Sequence, residues 1–182
     1  MKELSLNVLD IAKNSVKAKA SLIRISLEEE NHLLTLTIAD NGYGMTPEIL
    51  ASVVDPFCTT RTTRKVGMGI PLLKLSAEQT GGNVTITSRH ESAYPDTHGT
   101  EVVATFHTDH IDFTPLGDMI STVETLIMGS PEIDFVYSHC TEMLNVALDT
   151  REIREVLGED VPLDCYDVIQ WIRQNLQEQY GE

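Results

Sequence analysis

Between residues 3 and 18 the positions Leu4, Val8, Ile11, Ala12 and Ser15 recur at helical spacing while Lys2, Lys13 and Lys17 fall elsewhere, so the chain opens on an amphipathic helix. The period then drops to two. Ile23, Ile25 and Leu27 alternate with Arg24 and Ser26, and Leu34, Leu36 and Ile38 alternate with Thr35, Thr37 and Ala39, which predicts two strands with the polar run 28–32 as their turn. Pro47 suits the first turn of a short helix reaching about residue 54, and Pro71 the start of another that stops at Gly81-Gly82. Residues 83–89 and 99–106 read as strands around a loop holding Pro95. Helices over a mixed sheet make an α/β two-layer sandwich.

Beyond residue 111 the pattern changes to a helix over 116–128, a hairpin from 133–137 and 143–148, and two closing helices. Asp149 with Glu152, and Asp164 with Asp167, stand at the spacing by which a side chain satisfies free amides at a helix start. The expected organisation is one domain over 1–111 and an α+β extension over 112–182.

Charge sharpens that division. Residues 1–111 carry 10 Lys/Arg against 13 Asp/Glu, and residues 112–182 carry 3 against 15. So acidic an extension repels nucleic acid and anionic membrane, and neither is expected as a partner. Cys58, Cys140 and Cys165 are too few and too scattered for a disulfide framework or zinc site and read as free thiols. Without an apolar leader, or a run near the roughly 20 apolar residues that span a bilayer, the chain is expected in the cytoplasm. The six histidines show no helical metal-ligand spacing and are expected at the surface or at strand ends.

The candidate chemistry lies in four motifs taken in order: Asp10-x-x-x-Asn14, Asp40-x-Gly42-x-Gly44, a Thr- and Arg-rich loop running into Gly67-Met68-Gly69, and Gly99-Thr100. Residues four apart on a helix share a face, so Asp10 and Asn14 can point at one ligand. Gly42 and Gly44 follow a strand end, where glycine permits backbone approach that side chains forbid. Thr59, Thr60, Arg61 and Lys65 gather hydroxyls and cations in a chain otherwise short of positive charge, and a triphosphate is their natural counter-ion. Gly67 and Gly69 lead into a helix whose free amides favour anionic oxygens.

This ordered set resembles the GHKL superfamily of ATP-binding domains, and the loop from Asp55 to Gly69 looks most like the ATP lid of sensor histidine kinases, with anti-sigma-factor kinases a second relative. The resemblance covers about residues 1–110 and implies ATP and Mg²⁺ as ligands. It implies that Asn14 supplies an oxygen to Mg²⁺ and that Asp40 accepts a hydrogen bond from the adenine amine. Thr100 would support Asp40 or a water at the adenine. Arg61 is the first choice for a phosphate contact and Lys65 the second, with Thr59, Thr60, Gly67, Met68 and Gly69 around them. Asp10 stands where hydrolysing members carry a glutamate that orients the attacking water, and it is one methylene shorter.

Sensor kinases place a dimerisation module with the phospho-accepting histidine before this domain, whereas here the chain starts at the Asn-bearing helix. The expected function is therefore Mg-ATP binding with hydrolysis or transfer of the γ-phosphoryl group to a separate protein; the alternative is a non-catalytic ATP-dependent switch. A homodimer is left open.

Overall fold

The alternating stretch after the first helix closes as a tight hairpin. In a computed structural model that describes residues 3–54 and 68–181, β1 (Leu22–Glu30) and β2 (Leu33–Asp40) pair antiparallel from Ile23 opposite Asp40 to Glu30 opposite Leu33. The turn is only Asn31 and His32, both at positive φ, the geometry a two-residue hairpin needs to match strand twist. It is narrower than the 28–32 expected, because Glu28 and Glu30 hold their strand pairing while facing solvent.

The other described strands are β3 (Val84–Arg89), β4 (Gly99–His107), β5 (Asp134–Cys140) and β6 (Asn145–Asp149), joined in one sheet of order β3-β4-β2-β1-β5-β6. All neighbours are antiparallel except β1 and β5, which run parallel from Leu22 opposite Asp134 to Glu28 opposite Cys140. The change in composition after residue 111 therefore has no counterpart in the sheet, since the acidic segment adds its strands directly to β1.

Helices α1 (Leu4–Lys17), α2 (Pro47–Val54), α3 (Gly69–Gln79), α4 (Met119–Gly129), α5 (Thr150–Leu157) and α6 (Tyr166–Tyr180) complete the sandwich. Leu4, Val8, Ile11 and Ala12 of α1 and Leu73 and Ala77 of α3 join a core with Ile23, Ile25, Leu27, Leu36, Ile38, Ala104 and Phe106 of the sheet. Full burial of one such aliphatic side chain is worth roughly 1.5–3 kcal/mol, so one-sided alternation along the strands suffices to fix which face meets the helices.

Helix ends show where local patterns yield to neighbours. No side chain caps α1; the Leu4 and Ser5 amides donate to the carbonyls of Pro115 and Leu116 at 2.9 and 2.8 Å. Residues 115 and 116 are consequently outside α4, which starts later than expected because Asp118 caps it, accepting from the Ser121 amide and hydroxyl at 2.9 and 2.6 Å. Those bonds hold the Asp118 carboxyl below its ordinary pKa. Asp149 caps α5 as expected. Asp164 does not cap α6: Cys165 takes that position and makes no side-chain cap bond. Pro71 is the third residue of α3, still in the first turn where its missing N–H costs no helical bond.

Candidate functional site

Helix α1 presents Asp10 at an exposed position and Asn14 at a half-buried one, one turn apart. The helix ends at Ala18, whose carbonyl receives the Tyr43 amide at 2.9 Å and so ties the glycine loop after β2 to the end of α1. A Cβ at Gly42 would lie 2.7 Å from that same Ala18 oxygen, and one at Gly44, where φ is +71°, would lie 2.0 Å from the Arg89 carbonyl oxygen. Both glycines are thus required by close backbone approach.

Asp40 closes β2 with both oxygens engaged. Oδ2 accepts from the Ser15 hydroxyl at 2.6 Å and Oδ1 from the Gly42 amide at 2.8 Å. Beside it, Asn41 Oδ1 accepts the Ser21 and Leu22 amides, each at 2.9 Å, fixing the start of β1. The carboxylate is held by the helix that bears Asn14 and by the glycine loop that follows β2.

Thr100 is the register partner of Asp40, yet its hydroxyl lies 2.8 Å from Ser88 Oγ. Ser88 Oγ also accepts the Met45 amide at 2.7 Å. Thr100 therefore reaches Asp40 through the strand pairing and the Gly44-Met45 turn through Ser88. Gly99 stands at φ +143°, where a Cβ would meet the Asp40 carbonyl oxygen at 2.0 Å. His98 Nδ1 is 2.5 Å from the Gly42 carbonyl oxygen, so the loop before β4 closes one side of the glycine turn.

Across from this end, Gly69 begins α3 against α1: a Cβ there would sit 3.1 Å from the Asp10 Cβ. The uncapped first turn of α3 is thereby set beside Asp10, with Met68 largely exposed before it. Thr59, Thr60, Arg61, Lys65 and Gly67, all singled out above, lie outside the described residues.

Ser15, Ser88 and His98 were not singled out as site residues. Ser15 had a signal, since it is a hydroxyl set among apolar positions on the buried face of α1. Asn7 is buried on that helix with neither amide atom hydrogen-bonded, seven residues before Asn14 and so nearly above it. His139, the penultimate residue of β5, stands at a strand end as expected but is buried, 6% exposed, with its Nδ1 2.8 Å from Tyr180 Oη.

For a divalent cation, Asn14 offers a hard amide oxygen and Asp10 a carboxylate, while no cluster of three His, Cys, Asp or Glu side chains among the described residues could cage a metal. This donor set suits Mg²⁺, which keeps several waters and takes one or two protein oxygens together with phosphates.

A two-layer sandwich with a carboxylate beside a glycine turn at one end of a helix, and an uncapped helix start against that helix's middle, is the architecture of a nucleotide-binding ATPase domain. Residues 2–110 match the family described as Histidine kinase-, DNA gyrase B-, and HSP90-like ATPase, and the chain belongs to that family. It carries a GHKL-type ATP-binding domain. A putative sensor histidine kinase NtrY-like of Rickettsia bellii is 25% identical over 88 residues, 48% of this chain and 14% of that protein. The C4-dicarboxylate transport sensor protein DctB of Pseudomonas aeruginosa is 30% identical over 94 residues, 50% of this chain and 15% of that protein. The chain thus spans about one seventh of the length of these relatives. Among solved structures, the Aquifex aeolicus MutL ATPase domain complexed with ADP superposes with a TM-score of 0.52 at 14% identity, covering 96% of this chain and 88% of that one. That likeness extends the shared fold through the acidic segment.

Proposed function

We propose that the chain binds Mg-ATP along α1 and either hydrolyses it or passes its γ-phosphoryl group to a separate protein. Asp40 would accept the adenine amine's hydrogen bond, and Gly42 and Gly44 would let the ring approach the backbone. Asn14 would hold Mg²⁺, which supplies charge neutralisation at the phosphates when bound. The first turn of α3 would meet the phosphates with its free amides, together with Met68, Gly69, Thr59, Thr60, Arg61, Lys65 and Gly67 of the lid. Thr100 would steady the adenine end through Ser88.

The observation that carries this reading is that one helix reaches both ends of the site: Ser15 holds Asp40, and Asp10 packs against Gly69 where α3 begins. Phosphoryl transfer asks mainly for positioning and electrostatic stabilisation, which this arrangement offers. In the transfer, the bond from γ-phosphorus to the bridging oxygen breaks and a bond to the oxygen of water, or to an acceptor atom of the partner, forms. Asp10, beside the start of α3, would orient that nucleophile and take its proton.

The test is incubation of the protein with Mg²⁺ and γ-labelled ATP, alone and with a lysate of its source cell, following both free phosphate and label on protein. Turnover lost with Asn14→Ala and with Asp10→Asn supports the reading. Tight ATP binding with neither phosphate release nor labelled protein overturns the enzymatic part and leaves a nucleotide-dependent switch.

A further inference from the structure

We propose that the acidic segment carries a docking groove for a basic amphipathic helix of a partner protein. The groove, about 710 Å³, lies between β6, α5 and α6 and shares no residue with the nucleotide site. Its floor is Leu148, Ile153 and Val168, all buried; its walls are Val156 and Trp171, 86% and 52% exposed. Single exposed apolar residues are ordinary, but two large ones facing an apolar floor across a cleft mark an interaction surface. The volume falls within the roughly 300–1,000 Å³ of small-ligand clefts and takes several apolar side chains of a helix.

Charge selects the occupant. Asp149, Glu152 and Asp167 line the groove. Residues 112–182 hold 3 arginines against 15 acidic residues, and each arginine is already committed within the chain: Arg151 to Asp149, Arg154 to Asp134, Arg173 to Glu124. Asp149 is thus matched by Arg151, whereas Glu152 and Asp167 form no ion pair among the described residues, so Lys or Arg flanking the apolar stripe of the incoming helix is their complement. An anionic lipid surface is repelled by the same charges.

The backbone favours a helix over an added strand. Gln179 already closes the free edge of β6 at Ala147, accepting its amide at 2.8 Å and donating to its carbonyl at 3.0 Å. Asn175 holds that glutamine in place through a 2.7 Å bond. Strand addition would have to displace this pairing, whereas a helix laid in the groove leaves it intact.

The inference deepens the reading above only in giving the separate protein a place to bind, and its test is independent of nucleotide. Trp171 is the sole tryptophan, so its fluorescence reports the groove directly. The probe is a four-turn peptide of Leu and Lys with leucines at helical spacing, titrated at physiological salt, with a fluorescent ATP analogue read separately in the same sample. The expected result is a saturable blue shift at one peptide per chain, weakened about tenfold by Val156→Asp, which buries a charge against leucines. A similar loss is expected with the pair Glu152→Lys and Asp167→Lys. All these positions are on the surface, and circular dichroism checks that each variant folds. The proposal is overturned by an unchanged emission, by an equal response to the same composition at alternating spacing, or by a shift on raising protein concentration alone, which would give the groove to a second copy.

Discussion

The Ser15 hydroxyl donates to Asp40 Oδ2 at 2.6 Å, joining the last turn of the site helix to the end of the central strand. With Oδ1 held by the Gly42 amide, the carboxylate has one orientation, and its remaining lone pairs are aimed rather than free to rotate. A hydrogen bond to a charged group is worth about 1.5–3 kcal/mol net, and Ser15→Ala removes one of two. ATP affinity should fall about tenfold, since roughly 1.4 kcal/mol is a factor of ten, while the fold persists because the substitution keeps the helix. Asp40→Asn should cost more by turning an acceptor into a donor on one side. Titration calorimetry with ATP checks both, and an unchanged Ser15→Ala would separate Ser15 from ligand binding.

Gly44 is a glycine whose replacement the backbone forbids. Its φ of +71° and the 2.0 Å separation a Cβ would have from the Arg89 carbonyl oxygen leave no room for a side chain. The left-handed conformation alone costs about 1–2 kcal/mol for an L-residue, and displacing the β3 backbone adds to it. Gly44→Ala should lower the melting temperature by several degrees and weaken ATP binding together, read by thermal unfolding with and without nucleotide. A variant that melts like the parent would mean that the turn has another conformation.

These two positions also show what could be read in advance. Helix periodicity put Leu4, Val8, Ile11, Ala12 and Ser15 on one face, and all five are buried; alternation oriented Ile23, Ile25 and Leu27, which are buried too. Asp40 ends its strand where the glycine motif said it would. What stayed hidden depends on distant partners. Nothing local tells β5 to lie parallel beside β1, or Pro115 and Leu116 to cap α1 with their carbonyls. Asp164 has the right spacing for a cap, but the chain enters α6 one residue later and the spacing goes unused. His139 lies past the strand expected over 133–137, and nothing local shows that β5 runs on to Cys140 and buries it against Tyr180.

Arg173 clamps α6 to α4. Its Nε and Nη2 donate to the two oxygens of Glu124 at 2.7 and 2.6 Å, and Glu124 is only 4% exposed. Guanidinium and carboxylate match in this two-point fashion, so the loss of the arginine leaves a buried carboxylate without its counter-ion. Arg173→Met should therefore lower stability markedly, and Glu124→Met combined with Arg173→Met should recover much of the loss, because the uncompensated charge is gone. Urea unfolding of the two variants decides it; a double variant no better than the single one would show that packing, not charge, sets the cost.

His139 should make the protein lose stability in mild acid. It lies against Tyr180, whose hydroxyl is 2.8 Å from Nδ1 and 2.5 Å from the Tyr137 hydroxyl. Burial is the main cause holding the imidazole below its ordinary pKa of 6.5, with the charge of Glu29 acting the other way. Tyr137 is itself held well above the ordinary tyrosine range, first by burial and then by Tyr180, and stays protonated. A neutral His139 accepts the Tyr180 proton while Tyr137 donates to Tyr180, so every hydroxyl in the chain has a use; protonated, His139 must donate and the order reverses. Because the folded pKa is the lower one, the unfolded chain binds the extra proton between that value and 6.5, and stability rises with pH there. The contribution is complete above 6.5 and drains away as pH falls through the folded pKa. His139→Gln should flatten that slope just below pH 6.5 while leaving the carboxylate-driven loss at lower pH. Urea midpoints measured across this range test it, and a variant that keeps the parent's slope would assign the acid sensitivity to other groups.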